Sequence, residues 1–514
     1  MSSHHNISAL PPPPNKKSKQ KKKQNTHEEI LKKIRRGVEK SNFMSGASIY
    51  RVPKWLYNLN KKAYTPRLVS IGPLHCKDQN LKTPMQDIKM NYVNSFLARM
   101  VEDSDERKLE LLKQLIDEMQ IIEETKESSL LTDARKCYAE EVDDDLDEEM
   151  LVIDGCFILE LLYKFVENGS QKSHLHDPIF GSPLTFFAVQ HDLLLLENQL
   201  PFSALDKLFL LTKNLMPTSS SMPSRDSLSE YVRFYFRNIT NLGPGVDTTK
   251  SGPKKSCWKG ETESVIVQVE KKEEDYFHIL HILLDGFHSF VDGSKPVKKN
   301  RVLEALFIIL RPLLKFFSRV FIFIPWSKGR DSGLKPTASE LVEAGVKLLG
   351  CTDFEIKFYE ADTTFAWCRR AGFEIPILTI DDSTELFFRN LIAFEQCYPG
   401  IEKRFTSYAA LMDDLISTVK DVEVLEKAGV ISDYLGSRQE VVDLFNKLCT
   451  DVVYDEVFKA TYNQATAYTK RFWPNAIAHL RRDYFATPWT TVAFAVAFIV
   501  FGITVTKFIQ SFLP

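Results

Sequence analysis

The sequence predicts a mainly helical α+β fold that ends in a single transmembrane helix. Three observations carry this expectation. Apolar residues recur at helical spacing along much of the chain, as in Met85, Ile88, Tyr92, Phe96 and Met100. Only two short stretches, FEIKF (354–358) and IPILTI (375–380), read as strands. The 23 residues from Tyr484 to Thr506 carry no charge, and a helix of that length spans about 34 Å.

The elements follow in order. Thr83, Pro84 and Gln86 form a helix start, with Thr at the N-cap and Pro at the first helical position. A charged helix over 104–127 carries Leu109, Leu112, Leu115 and Ile121 on one side. Acids then crowd 140–149, eight in ten residues. MLVIDGCFILELLYKF (150–165) is apolar nearly all round and reads as a central buried helix. Residues 184–213 continue as an apolar helical stretch around DLLLLENQLPF, broken at Pro201. Ser, Pro, Gly and Lys cluster beyond residue 215, so about 215–300 reads as a variable insertion. Arg311, Lys315 and Arg319 form a cationic stripe on an apolar helix. Thr337 to Glu340 is a capping box, with Gly350 as the stop. Asp382 to Glu385 caps the next helix, and 405–470 is helical again.

The two ends differ from the body. Residues 1–26 hold Pro11 to Pro14 and then Lys16, Lys17, Lys19, Lys21, Lys22 and Lys23, with no apolar run. Such a segment buries too little to offset its ordering entropy and is expected to be a disordered tail. Its lysines suit an anionic-lipid contact or nuclear import. At the other end Trp489, Val492, Phe494, Phe498, Ile499, Phe501, Gly502 and Ile503 are expected to anchor the chain in the bilayer. Residues 507–514 form a short tail after the span. With no signal peptide and a span so near the end, the expectation is a tail anchor. Arg481 and Arg482 before the span, against Lys507 after it, place residues 27–480 on the cytosolic side of the plasma membrane or endoplasmic reticulum.

Composition excludes several classes. The chain has 514 residues, 44% apolar and 26% charged, with a net charge of −2, so it is neither a disordered nor a uniformly basic nucleic-acid-binding protein. The eight cysteines show no C-x-x-C spacing, which removes zinc ribbons and dithiol redox motifs and fits a reducing compartment. No Walker A, Rossmann, G-x-S-x-G or H-E-x-x-H pattern occurs, so no cofactor is expected. His278, His281, Asp285 and His288 share one helix face and are the weak alternative as metal ligands; clustered His at that spacing is more often a polar edge. His191, Asp192 and Glu197 are the nameable acid/base set.

Seven strings occur together in order: IYRVPKWL (49–56), YTPRLVSIGPLH (64–75), MLVIDGCFILELL (150–162), DLLLLENQLPF (192–202), ASELVEAGVK (338–347), IPILTIDDSTELFFRNLIAFEQ (375–396) and the closing WT-rich span. They resemble the plant family catalogued as domain of unknown function 247, also called the UPF 0481 proteins. After SIGP this chain reads Leu74-His75-Cys76-Lys77 where many members carry Tyr-His-His-Gly. The resemblance implies a land-plant protein with a C-terminal anchor and no established reaction. The reading is a non-enzymatic recognition or signalling scaffold that binds protein partners. Two alternatives stand beside it: an enzyme of unrecognised type with its site near His191, or a soluble nuclear-targeted protein with the C-terminal helix buried.

Overall fold

A computed structural model describes residues 31–35, 46–471 except 82–83, 102–103, 123–127, 169–175, 214–226, 241–274, 289–334, 352–353 and 361–370, then 478–479 and 488–510. The lysine-rich tail, the cationic stripe of Arg311, Lys315 and Arg319, and most of the 215–300 stretch lie outside these residues.

The helices are α1 (Lys54–Leu59), α2 (Pro84–Met100), α3 (Asp105–Gln120), α4 (Leu130–Lys136), α5 (Glu148–Asn168), α6 (Pro183–Asp192), α7 (Phe202–Lys213), α8 (Leu228–Tyr235), α9 (Arg237–Thr240) and α10 (Ile279–His288). After these come α11 (Ala338–Glu343), α12 (Thr384–Cys397), α13 (Arg404–Leu415), α14 (Val419–Lys427), α15 (Arg438–Leu448), α16 (Lys459–Thr469) and α17 (Pro488–Gln510). The strands are β1 (Lys347–Cys351), β2 (Lys357–Tyr359), β3 (Gly372–Pro376), β4 (Leu378–Ile380) and β5 (Ile431–Asp433).

The apolar run at 150–165 behaves as its composition requires. It lies inside α5, which packs against α2, α3, α7 and α8. Leu151, Val152, Phe157, Leu159, Leu161 and Tyr163 are fully buried. Buried apolar residues from Ala47 to Tyr468 form one continuous cluster, so the described elements between them share a single core. Three described helices, α8, α9 and α10, fall inside the stretch expected to be an insertion, and α8 and α10 bury residues in that core.

The strand-like pieces build two small sheets. β3 pairs in parallel with β1 and antiparallel with β2, while β4 pairs in parallel with β5. The break falls at Ile377. Its N–H donates to the Cys351 carbonyl, while the next N–H, from Leu378, donates to Val430. One extended segment thus changes partners in mid-run.

The stop for α11 is Gly345 at φ +92°, and Gly350 lies in β1. Val346 N–H bonds Leu341 O and Gly345 N–H bonds Val342 O, the paired closure of a Schellman ending. α14 ends identically at Gly429, φ +71°, through Val430 to Leu425 and Gly429 to Glu426. Each ending turns the chain directly into a strand, β1 or β5. Asp381 rather than Asp382 holds the start of α12: its Oδ1 accepts from Ser383 N–H at 2.9 Å and from Thr384 Oγ1 at 3.2 Å.

The C-terminus corrects the expectation of a membrane span. Among the described residues no helix is long and apolar enough to cross a membrane. α17 begins at Pro488, four residues into the uncharged stretch, and its last turn takes in Lys507 and Gln510. Its uncharged part, 488–506, measures about 28 Å, short of a hydrocarbon core of about 30 Å. Threonines interrupt it; Thr504 and Thr506 return their hydroxyls to the carbonyls of Val500 and Gly502. Of the expected anchor residues, Trp489, Val492, Ile499, Phe501, Gly502 and Ile503 are exposed, and Phe494 and Phe498 stand on the same helix. The exposure of Trp489, 81%, equally disagrees with a buried terminal helix.

Candidate functional site

The most polar part of the core is the segment after α6. Residues 193–201 were expected to continue a helix, but the helix ends at Asp192. The reason lies in three side chains. Gln199 Nε2 donates to the carbonyls of Leu193 and Leu195 at 2.7 and 2.9 Å. Asn198 Nδ2 donates to Asp192 O at 2.9 Å. Asn390, from α12, accepts from the Leu196 N–H at 2.9 Å. Amide side chains therefore replace the helical ladder.

This segment clamps the N-terminal strings onto the body. Asp192 accepts the N–H groups of Arg67, Leu68 and Val69 at 2.7–2.9 Å. Asn198 Oδ1 accepts from Ile71 at 2.8 Å. Glu197 Oε1 accepts from Val52 at 2.8 Å, and its Oε2 lies 3.0 Å from Arg51 Nη1 and 3.4 Å from His75 Nε2. Arg51 also bonds Glu140 at 2.8 Å and the Leu74 carbonyl at 3.1 Å. Arg51, His75, Glu140 and Glu197 thus gather four loops at the surface, with Glu197 inside and Arg51 half-exposed.

The acid/base set separates under this geometry. His191 is buried, and its Nδ1 lies 3.4 Å from Arg67 Nη1. Burial first, and Arg67 second, hold its pKa below the usual histidine range. Burial pushes Asp192 up to about 6, against the pull of its three backbone donors. Glu197 belongs to the surface cluster around Arg51. Both carboxylates are engaged by backbone N–H groups, so their lone pairs already hold the fold together.

The histidine helix also resolves into separate environments. His278 is completely buried; its Nε2 lies 3.2 Å from Ser48 O and its Nδ1 accepts the His281 N–H at 3.2 Å. Burial, reinforced by His281, lowers its pKa to about 3. The His281 ring stacks on Phe277 at 4.6 Å. Asp285 turns to Tyr276 at 3.2 Å and Arg233 at 3.4 Å. His288 closes α10. Among the described residues no three His, Cys, Asp or Glu side chains are placed to hold a metal ion.

Several ionic groups escaped the sequence reading. Lys89 and Asp154 form a buried pair at 2.5 Å, and Asp154 Oδ2 accepts the Gly72 N–H at 2.8 Å. Arg99 reaches Glu160 with two nitrogens at 2.9 Å. A signal existed: Asp154 and Glu160 are acids within an otherwise apolar run, and such groups are buried only with partners. A hollow of about 440 Å³ lies elsewhere, on the charged face of α3 around Glu110, Lys113 and Asp117.

Large apolar side chains remain exposed outside these networks. Leu184 is 83% and Phe187 49% exposed on α6, over an aromatic cluster in which Phe165 stacks on Phe186 at 5.8 Å. Arg237 covers Phe234 there at 4.0 Å. On α1, Trp55 is 61% exposed.

Comparison with known proteins places these features. UPF0481 protein At3g47200 of Arabidopsis thaliana is 26% identical over 461 residues, 88% of this chain and 83% of that protein. Putative UPF0481 protein At3g02645, from the same plant, is 27% identical over 167 residues, 32% of this chain and 31% of its own length. No solved structure matches. The model of the family described as plant protein of unknown function, DUF247, matches residues 49–503. Both the N-terminal clamped strings and the clamping segment fall inside that match, and the chain belongs to the DUF247 family.

Proposed function

We propose that this chain is a non-enzymatic recognition scaffold that binds protein partners. One observation carries the reading: Trp55, Leu184 and Phe187 are large apolar side chains held exposed on a body whose charged core groups are internally bonded. Large apolar residues held exposed on a rigid support are the usual anchors of protein interfaces. The acid/base set supports the same reading, because Asp192 and Glu197 act as acceptors for backbone N–H groups. Affinity enrichment from plant-cell extract tests it, using the full chain beside L184D/F187D and W55A variants. A reproducible set of proteins held by the wild-type chain and lost from a surface variant supports recognition. A set indifferent to every surface variant, or none at all, overturns it.

A further inference from the structure

Residues 51–67 contain Arg51, Lys54, Lys61, Lys62 and Arg67 and no acid. Two of these cations are engaged locally, Arg51 by Glu140 and Glu197 and Arg67 by the His191 ring. Lys54, Lys61 and Lys62 are exposed, and among the described residues none has an acidic side chain within ion-pair reach. Trp55 follows Lys54 on α1, which contacts the Lys61–Ala63 turn, and Asn58 and Leu59 share its face at helical spacing. Glu385, the acid that meets neighbouring Asn60 at 2.9 Å, is also bonded to Arg389 at 2.8 Å.

The face is rigidly held from beneath. Leu56, Ala63 and Tyr64 are buried. Asn390 donates to Ala63 O at 2.7 Å, and Thr65 Oγ1 donates to Lys61 O at 2.9 Å. Asn60 ties the turn to α12. A preorganised surface loses little entropy on binding. An exposed indole next to Lys54, on a helix in contact with the Lys61–Ala63 turn, is complementary to a carboxylate-rich segment that also presents an apolar side chain.

We propose that the Trp55 face is the docking site for an acidic segment of a partner protein, with Trp55 and Leu59 as the apolar anchor and Lys54, Lys61 and Lys62 pairing its carboxylates. The proposal rests on the recognition reading and specifies its partner chemistry. The full-length chain is panned against a phage-displayed random dodecapeptide library. Enriched peptides should be acidic, carry an aromatic or large aliphatic residue, and weaken as salt rises. Their affinity should fall about 10-fold or more on W55A and on K61E/K62E, and persist on K61R/K62R. Thermal unfolding of each variant should match wild type, since the altered side chains are exposed. Peptides that bind the W55A and K61E/K62E chains as tightly as wild type place recognition elsewhere; the proposal then falls and the broader reading stands. Neutral or basic peptides have the same consequence. Binding of phosphatidylserine-containing vesicles or single-stranded RNA through these lysines, without acidic peptides, overturns the proposal. Failure to enrich any peptide over bare matrix removes both.

Discussion

Lys89 Nζ lies 2.5 Å from Asp154 Oδ1, and both side chains are more than nine-tenths buried. The pair joins α2 to α5 at the centre of the helical layer. Lys89 also donates to Ser70 O at 2.7 Å, and Asp154 receives the Gly72 N–H. The two charges thereby fix the SIGP string against the central helix. Removing one partner strands the other in a low-dielectric site. Asp154→Ala is expected to cost about 3–5 kcal/mol, measured by chemical denaturation. The paired change K89M/D154L should cost clearly less than the sum of its singles.

The junction of the two sheets tolerates no added atom. A Cβ on Gly350 would sit 2.2 Å from the Gly429 carbonyl oxygen and 2.8 Å from Ile377 Cγ1. The Gly429 backbone is held by the α14 ending and has no room to retreat. Gly350→Ala should therefore destabilise by several kcal/mol, more than Gly436→Ala. Gly436 has open space around it at φ +89°, so that change carries only the left-handed backbone cost of about 1–2 kcal/mol. Comparing the two denaturation midpoints checks the order.

Acid stability should depend on His278. Its folded-state pKa, about 3, lies below the ordinary value of 6.5. The unfolded chain therefore binds the proton more readily, and stability falls as pH drops from about 6.5 toward 3. The contribution is complete above pH ~6.5 and on the order of 4 kcal/mol for full burial. His191 has the same sign, while Asp192, raised to about 6, has the opposite sign between about 4 and 6. The difference between wild-type and H278Q unfolding profiles isolates His278; equal slopes below pH ~6 would refute the assignment.

Asp192 is expected to act as a backbone clamp. Its Oδ2 receives both Leu68 and Val69 N–H. In Asp192→Asn an amide N–H₂ or a less basic oxygen must face these donors, at about 2–4 kcal/mol. Hydrogen exchange should accelerate selectively at Arg67, Leu68 and Val69. A uniform change across the chain would instead indicate global destabilisation without a local clamp.

The exposed apolar anchors should be dispensable for folding. Leu184 and Phe187 extend from the first turns of α6, where Ser182 accepts the Thr185 N–H. L184D/F187D should alter stability by about 0.5 kcal/mol per site or less, read as an unchanged melting temperature. A large loss would mean that these side chains support the aromatic cluster beneath them.

Periodicity located α2, α3, α5 and the helices over 405–470 because each buries one face or is apolar all round. It misread 193–201, where four consecutive leucines resemble a helix. The amides of Asn198 and Gln199 compete from four to six residues away, and Asn390 acts across 194 residues, a distance no local pattern contains. The stop after α11 was misplaced because Gly345 and Gly350 both fit a helix end; only the strand pairing of Gly350 with Ile375 decides between them. The candidate acid/base residues were identifiable as chemistry-bearing types, but not as clamps.

The family and the largely helical class were determined by the sequence alone, since motif order and apolar spacing are local properties of the chain. The tertiary structure decided the rest. It set which carboxylates are occupied by backbone donors, where the extended segment changes sheets, and that Trp55 and Lys54, Lys61 and Lys62 are exposed, the lysines with no acidic partner among the described residues. Those outcomes depend on segments far apart in sequence competing for the same hydrogen bonds and the same buried volume, and that competition is settled only when the core closes.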